Sequence, residues 1–168
     1  MSAVAASKQF ACPHCAARMH RALPGGQNAA LMAAPDYHLR PVGVVESRLT
    51  DRRAAPLQGD EGAPEATLVM RDAMNEGIRD LKPGTDIIVL TWLHQADREV
   101  LSTRPRSDPN NPIHGVFSTR SPDRPNPIGL HRVHLLEIDG NRIRVRDLEA
   151  IDGTPVIDIK PVIDPRER

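Results

Sequence analysis

Closely spaced prolines impose the strongest local constraint on this chain. They lie in the stretch His114–Leu130, which reads HGVFSTRSPDRPNPIGL. The three prolines within six residues are Pro122, Pro125 and Pro127. Each fixes its own φ angle and favours an extended conformation in the residue before it, so little backbone entropy remains to be lost on binding. Val116 and Phe117 favour a strand before the prolines, and another strand-like segment begins at Ile128. The stretch therefore predicts a stiff loop between two strands.

This stiff loop has two interpretations that the residues leave open. It carries two guanidiniums, two hydroxyls and an amide, from Thr119, Arg120, Ser121, Arg124 and Asn126. A rigid loop with these groups suits a ligand-binding cradle, in which Arg120, Arg124 and Asn126 contact the ligand. Alternatively, it is a proline-stiffened connector whose arginines face water.

The amino-acid composition argues against several classes of protein, among them aromatic nucleic-acid binders, membrane proteins and secreted disulfide-rich proteins. Aromatic residues make up 2% of the chain, so Val, Ile and Leu must form the core, and an aromatic base-stacking platform is not expected. The formal net charge is zero, so no global field attracts nucleic acid, although local arginine clusters could. We see neither a membrane-spanning apolar run nor a signal peptide, and two neighbouring cysteines are no secreted disulfide framework. We expect a cytoplasmic protein.

The first 39 residues differ from the rest. They are rich in alanine, contain a Pro-Gly-Gly break and predict a flexible or loosely docked extension. Cys12 and Cys15 form a C-x-x-C motif, with His14 inside it and His20 nearby. A structural zinc site needs four ligands, and no second C-x-x-C motif exists. Zinc, a redox pair and two reduced thiols all stay open, and we assign no metal site.

Short apolar segments separated by turn signals run through the remaining chain. The predicted strands are Arg40–Ser47, Thr67–Met70, Asp86–His94, Ile128–Ile138, Arg142–Leu148 and Val156–Ile159. One helix is predicted over Asp72–Leu81, because Met74, Ile78 and Leu81 recur at helical spacing. Many short strands with one or two short helices indicate a mainly β or α+β fold, as a single small β-barrel or rolled sheet. Its expected range is 40–162, with a charged tail over 163–168.

The clearest hairpin joins two of these strands at Asp139-Gly140-Asn141, a tight-turn signal. In the second strand, three arginines alternate with apolar residues. They are Arg142, Arg144 and Arg146. This arginine face is either a solvated strand surface or a patch that contacts phosphate groups.

A few polar residues are candidates for chemistry. His94 closes the most apolar strand, where it could contact a ligand, handle a proton or simply be satisfied by backbone. Asp147 and Glu149 follow the arginine strand and could bind a cation or a ribose, or pair with Arg144 and Arg146. No G-x-G-x-x-G or Walker A motif supports a Rossmann-type nucleotide site. We identify no general base, so the catalytic residues stay unknown.

Longer motifs carry a family resemblance. "RPVGVVES", "WLHQAD", "HGVFSTRSPDRPNPIGLH" and "LEAIDGTPVIDIKP" occur in this order between residues 40 and 161. Together they resemble the TsaA/TrmO-type family. The resemblance implies a small β-barrel that binds S-adenosylmethionine, forms a homodimer and methylates N6 of threonylcarbamoyladenosine beside the anticodon of tRNA.

The resemblance also implies cofactor contacts at positions that match the family pattern. They are Gly59, Asp60, Glu61, His94, Gln95, Arg120, Leu130, Arg146, Asp147, Leu148 and Glu149. An acidic residue such as Asp60 or Glu149 suits the cationic sulfonium, and Leu148 with nearby backbone amides could read adenine. Arg120 or Arg124 could bind the cofactor carboxylate or the threonyl carboxylate of the substrate.

Three functional hypotheses follow from these features. The first is a methyltransferase that acts on tRNA. The second is methylation of a small molecule on the same barrel, and the third is a cofactor-binding sensor without catalysis.

Overall fold

The computed structural model describes residues 37–163, and these form eight strands and one helical turn. The strands are β1 (Gly43–Glu46), β2 (Ala66–Met70), β3 (Asp86–Trp92), β4 (Ser102–Thr103), β5 (His114–Gly115), β6 (Ile128–Asp139), β7 (Arg142–Arg146) and β8 (Pro155–Pro161). The helix is α1 (Asn75–Ile78). All six predicted strands are present, and β4 and β5 are two-residue strands that we did not predict.

Six strands close into a barrel in the order β1-β2-β7-β6-β3-β8, which confirms the predicted fold class. Every neighbouring pair is antiparallel, and β1 closes the barrel by pairing with both β2 and β8. Closure removes the unpaired edges that an open sheet of such short strands would expose. β4 and β5 pair with each other in a separate two-stranded ribbon.

The barrel interior is aliphatic, because alternate residues of each strand point inward. In β3 the inward residues are Ile87, Val89 and Thr91, and in β6 Val133 and Leu135 face them. All five are at most 2% exposed. Val, Ile and Leu therefore fill the core, as the low aromatic content predicted.

The β6–β7 hairpin forms where the sequence predicted it, with Gly140 in a left-handed conformation at φ 56°. Two of the three arginines on this face already contact carboxylates, which come from β1, from β6 and from the residue before β2. Arg142 donates to Glu46, and Arg144 donates to Glu65 at 2.9 Å and to Glu137 at 2.8 Å. These pairs support the solvated-surface interpretation, because a phosphate group would have to compete with carboxylates already in contact.

The predicted helix over Asp72–Leu81 is wrong in its extent. A 3₁₀ turn at Asp72–Met74 leads into the single turn of α1, and the chain then leaves for β3. Gly77 weakens a longer helix, and a segment of ten residues is too short to be stable without extensive packing. The predicted apolar face is correct, since Ile78 is buried in the core and Met74 and Leu81 are partly buried against it.

Some expectations fall outside the described residues. Cys12 and Cys15 lie before residue 37, so their roles stay open, and the division into residues 1–39, 40–162 and 163–168 stays a prediction. Among residues 37–163, no helix is long and apolar enough to span a bilayer.

One ion-pair cluster joins β3 to β6 on the outer surface. Asp86 accepts hydrogen bonds from His134 Nδ1 at 2.8 Å and from Arg132 Nη2 at 2.8 Å. These bonds, that of His134 first, lower the pKa of Asp86 below its ordinary value of 3.8. A lowered carboxyl pKa means that ionised Asp86 stabilises the fold.

We predict that Asp86→Asn removes an acid-sensitive part of the stability. The contribution should be complete above about pH 3.8, where the unfolded-state carboxyl is ionised, and should be lost as the pH falls below that value. Because the pair is partly exposed, the loss at neutral pH should stay below about 1 kcal/mol. Urea unfolding between pH 7 and 3 measures it. Asp80→Asn is the control, since that carboxylate is 85% exposed; equal pH profiles for the two variants would contradict the prediction.

Candidate functional site

Antiparallel pairing brings three long connections to one end of the barrel. β1 ends beside the start of β2, β3 ends beside the start of β6, and β7 ends beside the start of β2. The connections over residues 47–65, 93–127 and 147–154 therefore leave from the same end, which we call the loop end. The opposite end carries the β2–β3 connection and the tight β6–β7 turn. Most of the predicted site residues lie in the three connections of the loop end.

The turn Gly59–Glu61 packs against the connection that follows β7. A Cβ on Gly59 would overlap the carbonyl oxygen of Asp147 and would lie 3.2 Å from Oε2 of Glu149. Asp147 has a φ of 66°, a left-handed conformation that few non-glycine residues adopt. The two segments approach this closely only because residue 59 has no side chain. The structure thus brings Gly59, Asp147 and Glu149 together.

Glu149 also reaches into the barrel, where it meets a buried histidine. Its Oε1 lies 2.8 Å from Nδ1 of His131, whose side chain is 4% exposed. The N–H direction at Nδ1 is bent away from the carboxylate, so the two atoms lie in close contact without a well-formed hydrogen bond. On the other side of the ring, Nε2 lies 2.8 Å from Oγ1 of Thr91. A Cβ on Gly129 would overlap both Thr91 and His131, so glycine leaves the space for this pair.

Ion pairs and hydrogen bonds fasten the loops to one another. Glu61 accepts from Arg106 at 2.6 Å, and this ties the Gly59–Glu61 turn to the long β3–β6 connection. Arg106 has a φ of 57°, so this contact is made by a backbone in the left-handed region. Asp60, beside Glu61, is exposed.

The proline loop is held from two sides. Asp123 accepts from Arg52 at 2.9 Å and from the backbone N–H of Asp97 at 2.9 Å. Arg98 donates to the carbonyl of Pro125 at 2.9 Å and lies 5.4 Å from the ring centre of Trp92. These contacts support the prediction of a stiff loop.

One expectation about this loop is corrected. Val116 and Phe117 form a 3₁₀ turn rather than a strand, with Val116 buried and Phe117 79% exposed. Arg124 donates to the carbonyls of Ser121, Thr119 and Val116, so its side chain braces the loop. Its contact with substrate stays a prediction.

Arg120 and Asn126 differ from Arg124. Both are exposed, and no hydrogen bond or ion pair joins either side chain to another residue within 37–163. They remain able to meet a ligand, as predicted.

His94 and Gln95 follow β3 at the loop end. Nδ1 of His94 is buried and has no hydrogen-bond partner among the described residues. Burial lowers the pKa of His94, because desolvation disfavours the charged ring. Gln95 accepts a hydrogen bond from Arg52 through its backbone carbonyl at 2.9 Å.

The remaining predicted contacts are less well placed. Leu148 is fully buried in the core, so its side chain does not offer a surface for adenine. Leu130 is 51% exposed on the outer face of β6, because its neighbours Gly129 and His131 point inward. Arg146 is exposed, with Nε 3.7 Å from Asp147 Oδ2.

Sequence reasoning missed Thr91, Gly129 and His131 as site residues. The signal that could have found them is a polar residue at an inward position of an apolar strand. That signal becomes readable only when the register of β6 against β3 is known, which pairs Thr91 with Gly129. Among residues 37–163, no group of three or more His, Cys, Asp or Glu side chains is arranged to hold a metal ion.

We predict that Gly59→Ala separates the Gly59–Glu61 turn from residues 147–149. The added methyl group meets backbone, which no side-chain rotation can relieve, so a cost of about 1–3 kcal/mol is expected. Amide hydrogen exchange should accelerate in both segments while the barrel strands stay protected. Gly115→Ala is the control, because nothing lies within 4 Å of a Cβ there. Unchanged exchange in the Gly59 variant would show that the close approach is not required.

Comparisons with known proteins agree with this architecture. Residues 44–166 match the family model of the tRNA-methyltransferase O N-terminal domain (TrmO_N). A "Probable S-adenosyl-L-methionine-binding protein" of Methanothermobacter thermautotrophicus is 45% identical over 130 residues, or 77% of this chain and 93% of that protein. A protein of the same name from Archaeoglobus fulgidus is 45% identical over 123 residues, or 73% of this chain and 33% of that protein.

Solved structures show the same likeness. The crystal structure of TrmO from Pseudomonas aeruginosa matches with a TM-score of 0.63 and 27% identity, and the match covers 77% of this chain and 57% of that chain. This chain therefore spans about half the length of the solved TrmO chains and a third of one curated relative. Since the family model covers most of the chain, the protein belongs to the family of the tRNA-methyltransferase O N-terminal domain.

Proposed function

We propose that this protein is a methyltransferase that uses S-adenosyl-L-methionine. Its family model describes a tRNA methyltransferase domain, and relatives with 45% identity are named as S-adenosyl-L-methionine-binding proteins. The observation that carries the proposal is the Glu149 carboxylate at the loop end. Its side chain is 21% exposed, and within residues 37–163 its close side-chain contact is the His131 ring rather than any Lys or Arg. A partly buried carboxylate is costly unless a cation or hydrogen-bond donor satisfies it.

The loop end fits the chemical groups of this cofactor. When bound, S-adenosyl-L-methionine supplies a methyl group on a positively charged sulfur, together with ribose hydroxyls and an amino-acid carboxylate. Glu149 would hold a cationic or hydroxyl group, and the exposed guanidinium of Arg120 would bind a carboxylate through paired hydrogen bonds. Because Gly59 has no side chain, the Gly59–Glu61 turn can lie against Asp147 and Glu149, which keeps Asp60 and Glu61 beside the Glu149 carboxylate.

In this proposal, the residues of the chain contribute positioning rather than proton transfer. Methyl transfer requires in-line geometry and exclusion of water more than a strong base. The contacts of Asp123 and Arg124 hold the proline loop in one conformation, which keeps Arg120 in place before a ligand arrives. Such preorganisation reduces the entropy lost on binding.

For the acceptor, we propose N6 of threonylcarbamoyladenosine beside the anticodon of tRNA. The description of the family supports tRNA as the acceptor, the family resemblance of the sequence motifs implies this nucleoside, and exposed Arg120 and Asn126 suit the threonyl carboxylate and its amide neighbours. The test is transfer of radiolabelled methyl groups to total tRNA from cells that make the threonylcarbamoyl group and from cells that lack it. Label in the first tRNA alone supports the proposal.

The same assay distinguishes the alternatives. Label in a small-molecule fraction, with none in RNA, would select a small-molecule methyltransferase on this barrel. Equal affinity for S-adenosylmethionine and its demethylated product, without turnover, would select a sensor. The homodimer implied by the resemblance stays a prediction, which size-exclusion chromatography with light scattering can test.

We predict that Arg120→Ala weakens binding of the cofactor or the acceptor about tenfold or more, since hydrogen bonds to charged groups are worth about 1.5–3 kcal/mol. Its melting temperature should stay unchanged, because the side chain has no partner within residues 37–163. Calorimetry and thermal unfolding measure the two effects. Arg71→Ala, an exposed arginine at the opposite end of the barrel, is the control. A large fall in melting temperature would show that Arg120 is structural.

A further inference from the structure

Two polar residues touch inside an otherwise aliphatic barrel. Among the described residues, the buried polar side chains are Thr91, His131 and Thr154, at 0%, 5% and 1% exposure. Thr91 and His131 are diagonal neighbours on the paired strands β3 and β6, where Thr91 pairs with Gly129 and His131 pairs with Val89. Aliphatic residues at these positions would fill the barrel without the cost of burying polar groups. The pair is therefore not explained by packing alone.

The histidine ring spans the distance from the barrel interior to the loop end. Nε2 faces Thr91 Oγ1 at 2.8 Å, and Nδ1 faces Glu149 Oε1 at 2.8 Å. The second carboxylate oxygen of Glu149, Oε2, lies on the side of Gly59. One oxygen of Glu149 thus meets the buried ring, while the other faces the turn that we place at the cofactor site.

The surroundings hold the ring in this orientation. The His131 ring packs tightly against Gly129, because a single carbon added at Gly129 would overlap both Thr91 and Nε2 of the ring. Glu149 itself lies between Leu148 and Ala150, which are both buried, so its backbone is anchored on each side. Among the described residues, the polar side chain in contact with the Glu149 carboxylate is His131.

We propose that His131 is a positioning residue, which acts on the cofactor site through Glu149. With the proton on Nδ1, Nε2 accepts from the Thr91 hydroxyl, and the N–H dipole at Nδ1 attracts the Glu149 carboxylate at 2.8 Å without the angle of a well-formed hydrogen bond. The pair Thr91–His131 orients Glu149 before the ligand binds. The affinity for the cofactor therefore depends on His131, although His131 is not among the residues predicted to contact the cofactor. This inference takes only the identity of the ligand, S-adenosylmethionine, from the proposed function.

A double-mutant cycle on S-adenosylmethionine binding tests the proposal. His131→Gln should weaken the affinity about tenfold in the wild-type background, and less than twofold in the Glu149→Gln background, because coupled residues are not additive. His131→Asn is the matched rescue variant, since its amide nitrogen can replace the donor at Nδ1. It should retain more affinity than His131→Gln. Equal losses in both backgrounds, or losses that follow the melting temperature, would overturn the proposal.

A second measurement needs no cofactor and remains useful if a variant folds poorly. In ¹⁵N-histidine spectra of the full chain, the His131 ring should carry its proton on Nδ1, and its Nδ1 signal should shift in Glu149→Gln. A ring protonated only on Nε2, or a signal that ignores Glu149, would refute the positioning role. Failure of the wild-type protein to bind S-adenosylmethionine would reject the proposed function instead, while the spectra would still decide the role of His131.

Discussion

Closure of the barrel by β1 is the constraint on which the site depends. This four-residue strand pairs with β2 on one side and with β8 on the other, and the N–H of Val45 donates to the carbonyl of Thr154 at 2.9 Å. In a closed antiparallel barrel, alternate connections must leave from the same end. The three long connections therefore converge at the loop end, although they are far apart in the sequence.

The shape of the candidate site depends on close approach between segments of the chain at two glycines, as well as on its functional groups. Gly59 lets a turn lie on the backbone of Asp147, and Gly129 leaves room for the contact between Thr91 and His131. The left-handed conformation of Asp147 adds local strain two residues before Glu149. The packed core and the neighbouring loops hold this conformation, so rigidity here originates in the barrel.

Charge is distributed unevenly over this electrically neutral chain. On the outer face of β7, Arg142 is paired with Glu46 of β1, and Arg144 is paired with Glu137 of β6 and with Glu65. At the loop end, Arg120 lacks such a partner among residues 37–163, and the contact of Glu149 is a histidine. A net charge of zero is therefore compatible with recognition of a charged ligand, because recognition depends on local unpaired charges rather than on the net charge of the chain.

The sequence by itself determined the strands, the β6–β7 hairpin and the stiff proline loop, because alternation, turn residues and prolines act over a few neighbouring residues. The family motifs determined which loops carry the site. Only the tertiary structure decided that Arg124 braces its own loop, that Leu148 is buried and that His131 meets Glu149. These facts depend on strand register and on contacts between residues distant in the chain, which no local pattern specifies.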